Sequence, residues 1–206
     1  MRKLLVICLM VMFMMPLRAN AFSWSDFFAW LFGGTTTETT ITSAVLADTS
    51  KQMDTIKTKS SELDSAVKTL FLDIVAQLST PTEAKAIETQ ANTDLFKAIT
   101  DYQTTINNEK ARVLITIKTM TDKEKETLSK NVKTFYSLGE KYSDMYKEAT
   151  SAKNTISRGT ITSTEHTEVI NKVNSVVTET SNKANAVNNL SVIIKTYARL
   201  TGLKIQ

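Results

Sequence analysis

The run TPTEAKAIETQANTDLFKAITDYQTTI, residues 80–106, decides the fold class. It opens on Thr80-Pro81-Thr82-Glu83. A threonine followed three residues later by glutamate closes a capping box, in which each side chain takes up a free amide of the first helical turn. Pro81 stands at the first helical position, where its missing N–H costs nothing. Behind the box, Ala84, Ile87, Ala91, Leu95, Ala98, Tyr102 and Ile106 step by three and four. That is one apolar stripe on a polar helix.

Working outward, the same pattern recurs on both sides. Thr121-Asp122-Lys123-Glu124 and Thr162-Ser163-Thr164-Glu165 are further boxes, and Thr35-Thr36-Thr37-Glu38 is a weaker one. The stripe from Ala84 continues through Val113, Ile117 and Met120. A first stripe is Met53, Ile56, Ser60, Leu63, Val67, Leu70, Ile74 and Leu78. A third is Leu128, Val132, Phe135, Tyr142, Met145, Ala149, Ala152 and Ile156. A fourth is Val169, Val173, Val177, Thr180, Ala184, Val187, Leu190, Ile194 and Tyr197. Beyond residue 34 there is one proline, Pro81, and three glycines, Gly139, Gly159 and Gly202. So few breakers leave little room for the turns of a β-fold. The expectation is an all-α chain: an elongated, antiparallel up-down four-helix bundle over residues 35–206. Its helices would be ~35–40 residues and ~55 Å long. Ser157-Arg158-Gly159-Thr160 would form the last turn, and Gly202 a terminal cap.

The start of the chain is different. Arg2 and Lys3 precede an apolar run from Leu4 to Met15, closed by Pro16, and Ala19-Asn20-Ala21 has small residues where signal peptidase requires them. Residues 1–21 thus read as a secretory signal peptide. The run is shorter than the ~18 residues that spanning requires. The only cysteine, Cys8, lies within it. The leader holds three of the 25 basic residues and no acid, which leaves 22 against 21, a net of +1. A nucleic-acid partner has no electrostatic support in that balance, and none is expected. The cleaved chain is expected to be exported (periplasmic, cell-surface or secreted), without disulfides, and stabilised by burial.

Cleavage would expose FSWSDFFAWLFGG, residues 22–34. Phe22, Trp24, Phe27, Phe28, Trp30 and Phe32 are six of the chain's 15 aromatics, and with Leu31 they accompany a single charge, Asp26. As a helix the segment is ~16 Å long, too short to cross a ~30 Å hydrocarbon core. It can lie in an interface, where tryptophan rings are favoured. Phe22, Trp24, Phe27, Phe28, Trp30, Leu31 and Phe32 are therefore the expected docking residues for a membrane surface or an envelope protein; the other reading has them packed on the chain's own bundle, capping the open end of its apolar stripes. Gly33 and Gly34 are the expected hinge.

Catalytic chemistry finds little material. His166 is the only histidine, set among Glu165 and Glu168, and reads as a surface residue rather than a metal ligand. No cysteine nucleophile or Gly-rich phosphate loop follows the leader, and no cofactor is expected. Tyr136, Tyr142 and Tyr146 read as bundle packing, and Gly139 as a kink or a point of close helix approach. Asn189-Leu190-Ser191 is a glycosylation sequon. The expectation is a non-enzymatic bundle, with a homo-oligomer among its open partner states. A helical pore-forming cytolysin and a periplasmic or surface subunit of a secretion, pilus or adhesin assembly are the alternatives. The layout is similar in a general way to all three kinds, but architecture does not establish function.

Overall fold

The computed structural model describes residues 41–157 and 164–205. Among them are six helices and no strand. They are α1 (Ser43–Leu78), α2 (Pro81–Thr93), α3 (Leu95–Asn108), α4 (Lys110–Thr119), α5 (Asp122–Ile156) and α6 (Thr164–Leu200). The all-helical expectation holds. The signal peptide, the aromatic segment 22–34 with its hinge, and the Thr35–Glu38 box lie outside the described residues. So do most of the Ser157–Thr160 turn and the first half of the Thr162–Glu165 box.

The two boxes that can be inspected close as expected. Thr80 Oγ1 accepts from the Glu83 amide at 3.4 Å, while Glu83 Oε2 accepts from the Thr80 amide at 2.8 Å. At Thr121 and Glu124 the same pair measures 3.3 and 2.7 Å. The Thr80 amide, chiefly, holds the Glu83 carboxyl below the usual carboxylate range. Gly202 ends α6 with φ 82°, and the Leu203 amide reaches back to the Ala198 carbonyl at 2.9 Å. Glycine adopts that left-handed conformation without a Cβ penalty.

The second long helix is a correction: it is three helices, α2, α3 and α4. Asp94 ends α2 in an extended conformation (φ −147°, ψ 96°), and its side chain caps α3 by accepting from the Lys97 amide at 3.0 Å. There the chain doubles back, so that Gln90 Nε2 donates to Asp101 Oδ2 across the turn. The apolar stripe survives the break, because Ala91, Ala98, Tyr102, Ile106, Val113 and Ile117 are all buried. Glu109 (φ −103°, ψ 23°) separates α3 from α4, and the next amide bond of the ladder, Val113 to the Glu109 carbonyl, resumes at 3.1 Å.

One added reversal changes the bundle's topology. In an up-down four-helix bundle the first and last helices run in opposite directions. Here Ser43 meets Glu165, Asp54 meets Lys172 and Asp64 meets Lys183, so α1 and α6 run in the same direction. The contacts of α5 read the other way. Gln52 bonds Glu148, Tyr142 bonds Asp64, and Asn188 bonds Ser143, so α5 is antiparallel to both. Phe96 lies by Lys183, Gln103 by Ala186 and Asn107 by Tyr197, so α3 runs along α6. The four-helix expectation is therefore replaced by a three-helix stem of α1, α5 and α6. Onto its upper half α2, α3 and α4 are packed.

The core divides accordingly. The stem core is Ile41, Leu46, Met53, Ile56, Ala149, Ala152, Ile156, Val169, Val173 and Val176. The upper core is built around Phe71, Tyr102, Phe135, Tyr142 and the aliphatics of all six helices. Arg112 ties three helix ends together in the upper half. Its Nη1 donates to the Leu78 carbonyl at 2.9 Å, and its other nitrogens engage Glu109 and Glu83.

At Gly139 α5 and α6 approach each other closely. A methyl group there would overlap Asn188 Oδ1 and stand 2.9 Å from its Cγ and 3.0 Å from Val187 Cγ1. Of the two readings of this glycine, the structure selects close approach, within an unbroken α5. Glycine to alanine in a helix interior ordinarily stabilises by ~1 kcal/mol. At this position Gly139→Ala is expected to destabilise by about 1–2 kcal/mol through overpacking. Urea titration checks it, and Gly139→Ala/Asn188→Ala is expected to recover the loss.

Candidate functional site

Every docking residue read from the sequence, from Phe22 to Phe32, and both hinge glycines lie outside the described residues. Within them, the chemistry concentrates in a polar layer between the two cores. Ser60 and Asp64 of α1 face Lys183 of α6 there, and Thr180, buried one turn before Lys183, donates to the Val176 carbonyl at 2.7 Å. Lys183 is only 7% exposed, although it is charged. Its Nζ donates to Ser60 Oγ at 3.0 Å and to both Asp64 oxygens at 3.0 and 2.9 Å. Glu179, one turn earlier, stands 3.0 Å away. The rings of Phe96 and Tyr142 lie 5.1 and 5.7 Å from the ammonium. Such a buried charge is tolerated only when paired and hydrogen-bonded on all sides, and here it is.

Tyr142 completes the layer. It is fully buried, and its hydroxyl donates to Asp64 Oδ1 at 2.8 Å. Burial, with the Asp64 carboxylate beside it, holds this phenol well above its usual range. Phe96 packs edge-on against Tyr142 with centroids 5.8 Å apart. Because Phe96 sits at the start of α3, the turn at Asp94 places the tip of the α2–α3 hairpin on the polar layer. Chemically the layer is closed: its oxygens and ammonium are already spent on one another. It holds register, and offers no open position for a substrate.

The remaining sequence candidates separate. Tyr136 lies under Lys195, 3.5 Å from its Nζ, while Tyr146 is partly exposed on another part of α5, so the three tyrosines form no common surface. His166 is half-buried and its Nε2 lies 3.1 Å from the Ile156 carbonyl, joining the start of α6 to the end of α5. The described residues hold no group of three metal-ligating side chains. Among them, too, no helix is long and apolar enough to cross a membrane. Ser191 of the sequon is buried mid-helix with its hydroxyl on the Val187 carbonyl at 2.9 Å, so the sequon is not presented as an extended acceptor.

A second buried phenol gives a measurable pH response. Tyr102 bonds Ser79 Oγ at 2.9 Å, and burial pushes its pKa from 10.0 up to about 12. The folded value is raised, so the neutral phenol's stabilisation is complete below pH 10 and is lost as pH rises towards 12. Two pKa units correspond to roughly 3 kcal/mol. Thermal melts between pH 9 and 12, monitored with tyrosinate absorbance, are expected to show stability falling over that window. Tyr102→Phe is expected to make the decline shallower, the buried Tyr142 phenol accounting for part of what remains.

The chain matches no family model, no curated protein and no solved structure.

Proposed function

We propose that the chain is an exported, non-enzymatic helical bundle that attaches to a membrane or an envelope partner through residues 22–32. The reading includes cleavage of residues 1–21 and a hinge at Gly33-Gly34. One observation carries it: six of 15 aromatic residues, with both tryptophans, fall in eleven positions bearing a single charge. An apolar concentration of that kind marks an interaction site. The described stripes of α1, α5 and α6 pack into shared cores. The inward-facing charges of the polar layer are likewise paired.

Liposome flotation of the chain from Phe22 onward, with and without residues 22–34, tests the proposal. The intact form is expected to float and the shortened form to lose its binding to neutral vesicles. Identical behaviour removes the membrane reading and leaves the protein partner, which crosslinking in the native host would capture and Trp24→Ala or Trp30→Ala would release. Release of an entrapped dye would instead identify a pore-forming protein.

A further inference from the structure

The acids of this chain are unevenly placed. Residues 110–121 and 180–206 contain no aspartate or glutamate, yet hold Lys110, Arg112, Lys118, Lys183, Lys195, Arg199 and Lys204. The fold brings these two stretches together as α4 and the last turns of α6. Arg112 and Lys183 are neutralised by Glu83, Glu109, Asp64 and Glu179. The other five cations make no ion pair among the described residues. Acids near this end are Asp122, Glu124 and Glu126 in the opening turns of α5, where Lys123 and Lys125 alternate with them and Thr121 holds Glu124, and Glu140 near Lys195.

Apolar side chains stand exposed beside Lys118 and Arg199, while Lys110 and Lys195 lie over the rings of Tyr197 and Tyr136. Ile115 is 63% and Leu200 62% exposed, the two largest values among the exposed large hydrophobics of the described residues. Both line one groove of about 470 Å³, shared with Leu114, Lys118, Thr201 and Gly202. We propose that this α4–α6 corner docks on an anionic lipid membrane. Lys118 lines the groove beside these aliphatic tips, and Arg199 precedes Leu200; such a pairing suits the headgroup boundary, where the tips enter the acyl region and the cations meet phosphates. A nucleic acid is the poorer fit, because the neighbouring rings offer no open stacking face: Tyr197 is 5% exposed, and Tyr136 lies under Lys195.

The place of the corner matters. Glu165 touches Ser43 at the start of α1, and Leu200 lies 35 residues further along α6, about 52 Å away. The corner thus sits at the end of the bundle opposite to residue 41, where the N-terminal segment joins. It is a second contact surface, and it stands whether or not residues 22–32 bind membranes.

Co-sedimentation tests it with vesicles of phosphatidylcholine alone and of phosphatidylcholine doped with phosphatidylglycerol. The chain from Phe22 and the form lacking residues 22–34 are both used, each shown to be folded by a cooperative thermal melt. The shortened form is expected to prefer doped vesicles by about tenfold and to lose that preference with added salt. Lys118→Glu/Arg199→Glu is expected to abolish the preference, and Leu200→Ser, which keeps every charge, to weaken binding several-fold. Both changes are on the surface, so an unchanged thermal melt confirms folding. Equal binding to the two vesicle types, or indifference to charge reversal, overturns the proposal. So does equally tight binding of a DNA duplex at the same salt. Failure of the segment reading looks different: deletion of residues 22–34 then leaves binding to neutral vesicles unchanged.

Discussion

Asp64→Ala is expected to lower the unfolding free energy by about 3 kcal/mol, because it strands two buried groups at once. Lys183, 8% exposed at its side chain, loses the nearest of its two carboxylates, and the Tyr142 hydroxyl loses its acceptor. The loss stays near the lower end of the range for broken buried pairs. Asp64 is itself 33% exposed, and Glu179 remains at 3.0 Å from the ammonium. Urea denaturation of Asp64→Ala, Lys183→Met and the double variant measures the coupling. The double variant is expected to be more stable than Asp64→Ala by about 1–2 kcal/mol, since it leaves no unpaired charge between the cores. Additive losses would show that the layer is not the closed network its distances describe.

Phe71→Ala is expected to cost about 3–5 kcal/mol. Phe71 is fully buried on α1 and meets Tyr102 of α3 edge-on, with centroids 5.7 Å apart and planes at 75°. It is the floor on which the α2–α3 hairpin rests. The cavity should therefore be felt unequally. Amide exchange is expected to accelerate first in α2 and α3, while Met53 and Ile56 in the stem core keep their protection longest relative to wild type. A loss below about 1 kcal/mol would contradict the packing of α3 on α1.

These residues also show what the sequence could tell. The caps at Thr80 and Thr121 were legible because a capping box is local: four residues contain both hydrogen bonds. The reversal at Asp94 was not, because the residue at its third helical position is Lys97, not glutamate, so only half of the box exists. The signal was the run Asn92-Thr93-Asp94, three residues that favour caps and turns over helix interiors, set directly before Leu95. The period of the stripe continued across it, and periodicity alone cannot separate one long helix from two folded together. Lys183 was missed for a related reason. It stands three residues after Thr180 and four before Val187, on the apolar face, and Asp64 stands likewise between Ser60 and Val67. Opposite charges on two stripes are the mark of an internal pair, but pairing them requires knowing which helices touch. The stripe of α6 also runs through Val176, with Val177 only packed against it.

The shared direction of α1 and α6 has a mechanical consequence. The chain enters the bundle beside Glu165 and leaves it beside Ser129, at the far end. A pull applied between entry and exit drags α1 and α6 lengthwise past their neighbours, loading the whole row of interhelical contacts together. Were the first and last helices opposed, both ends would emerge side by side, and the same force would unzip the rods one contact at a time.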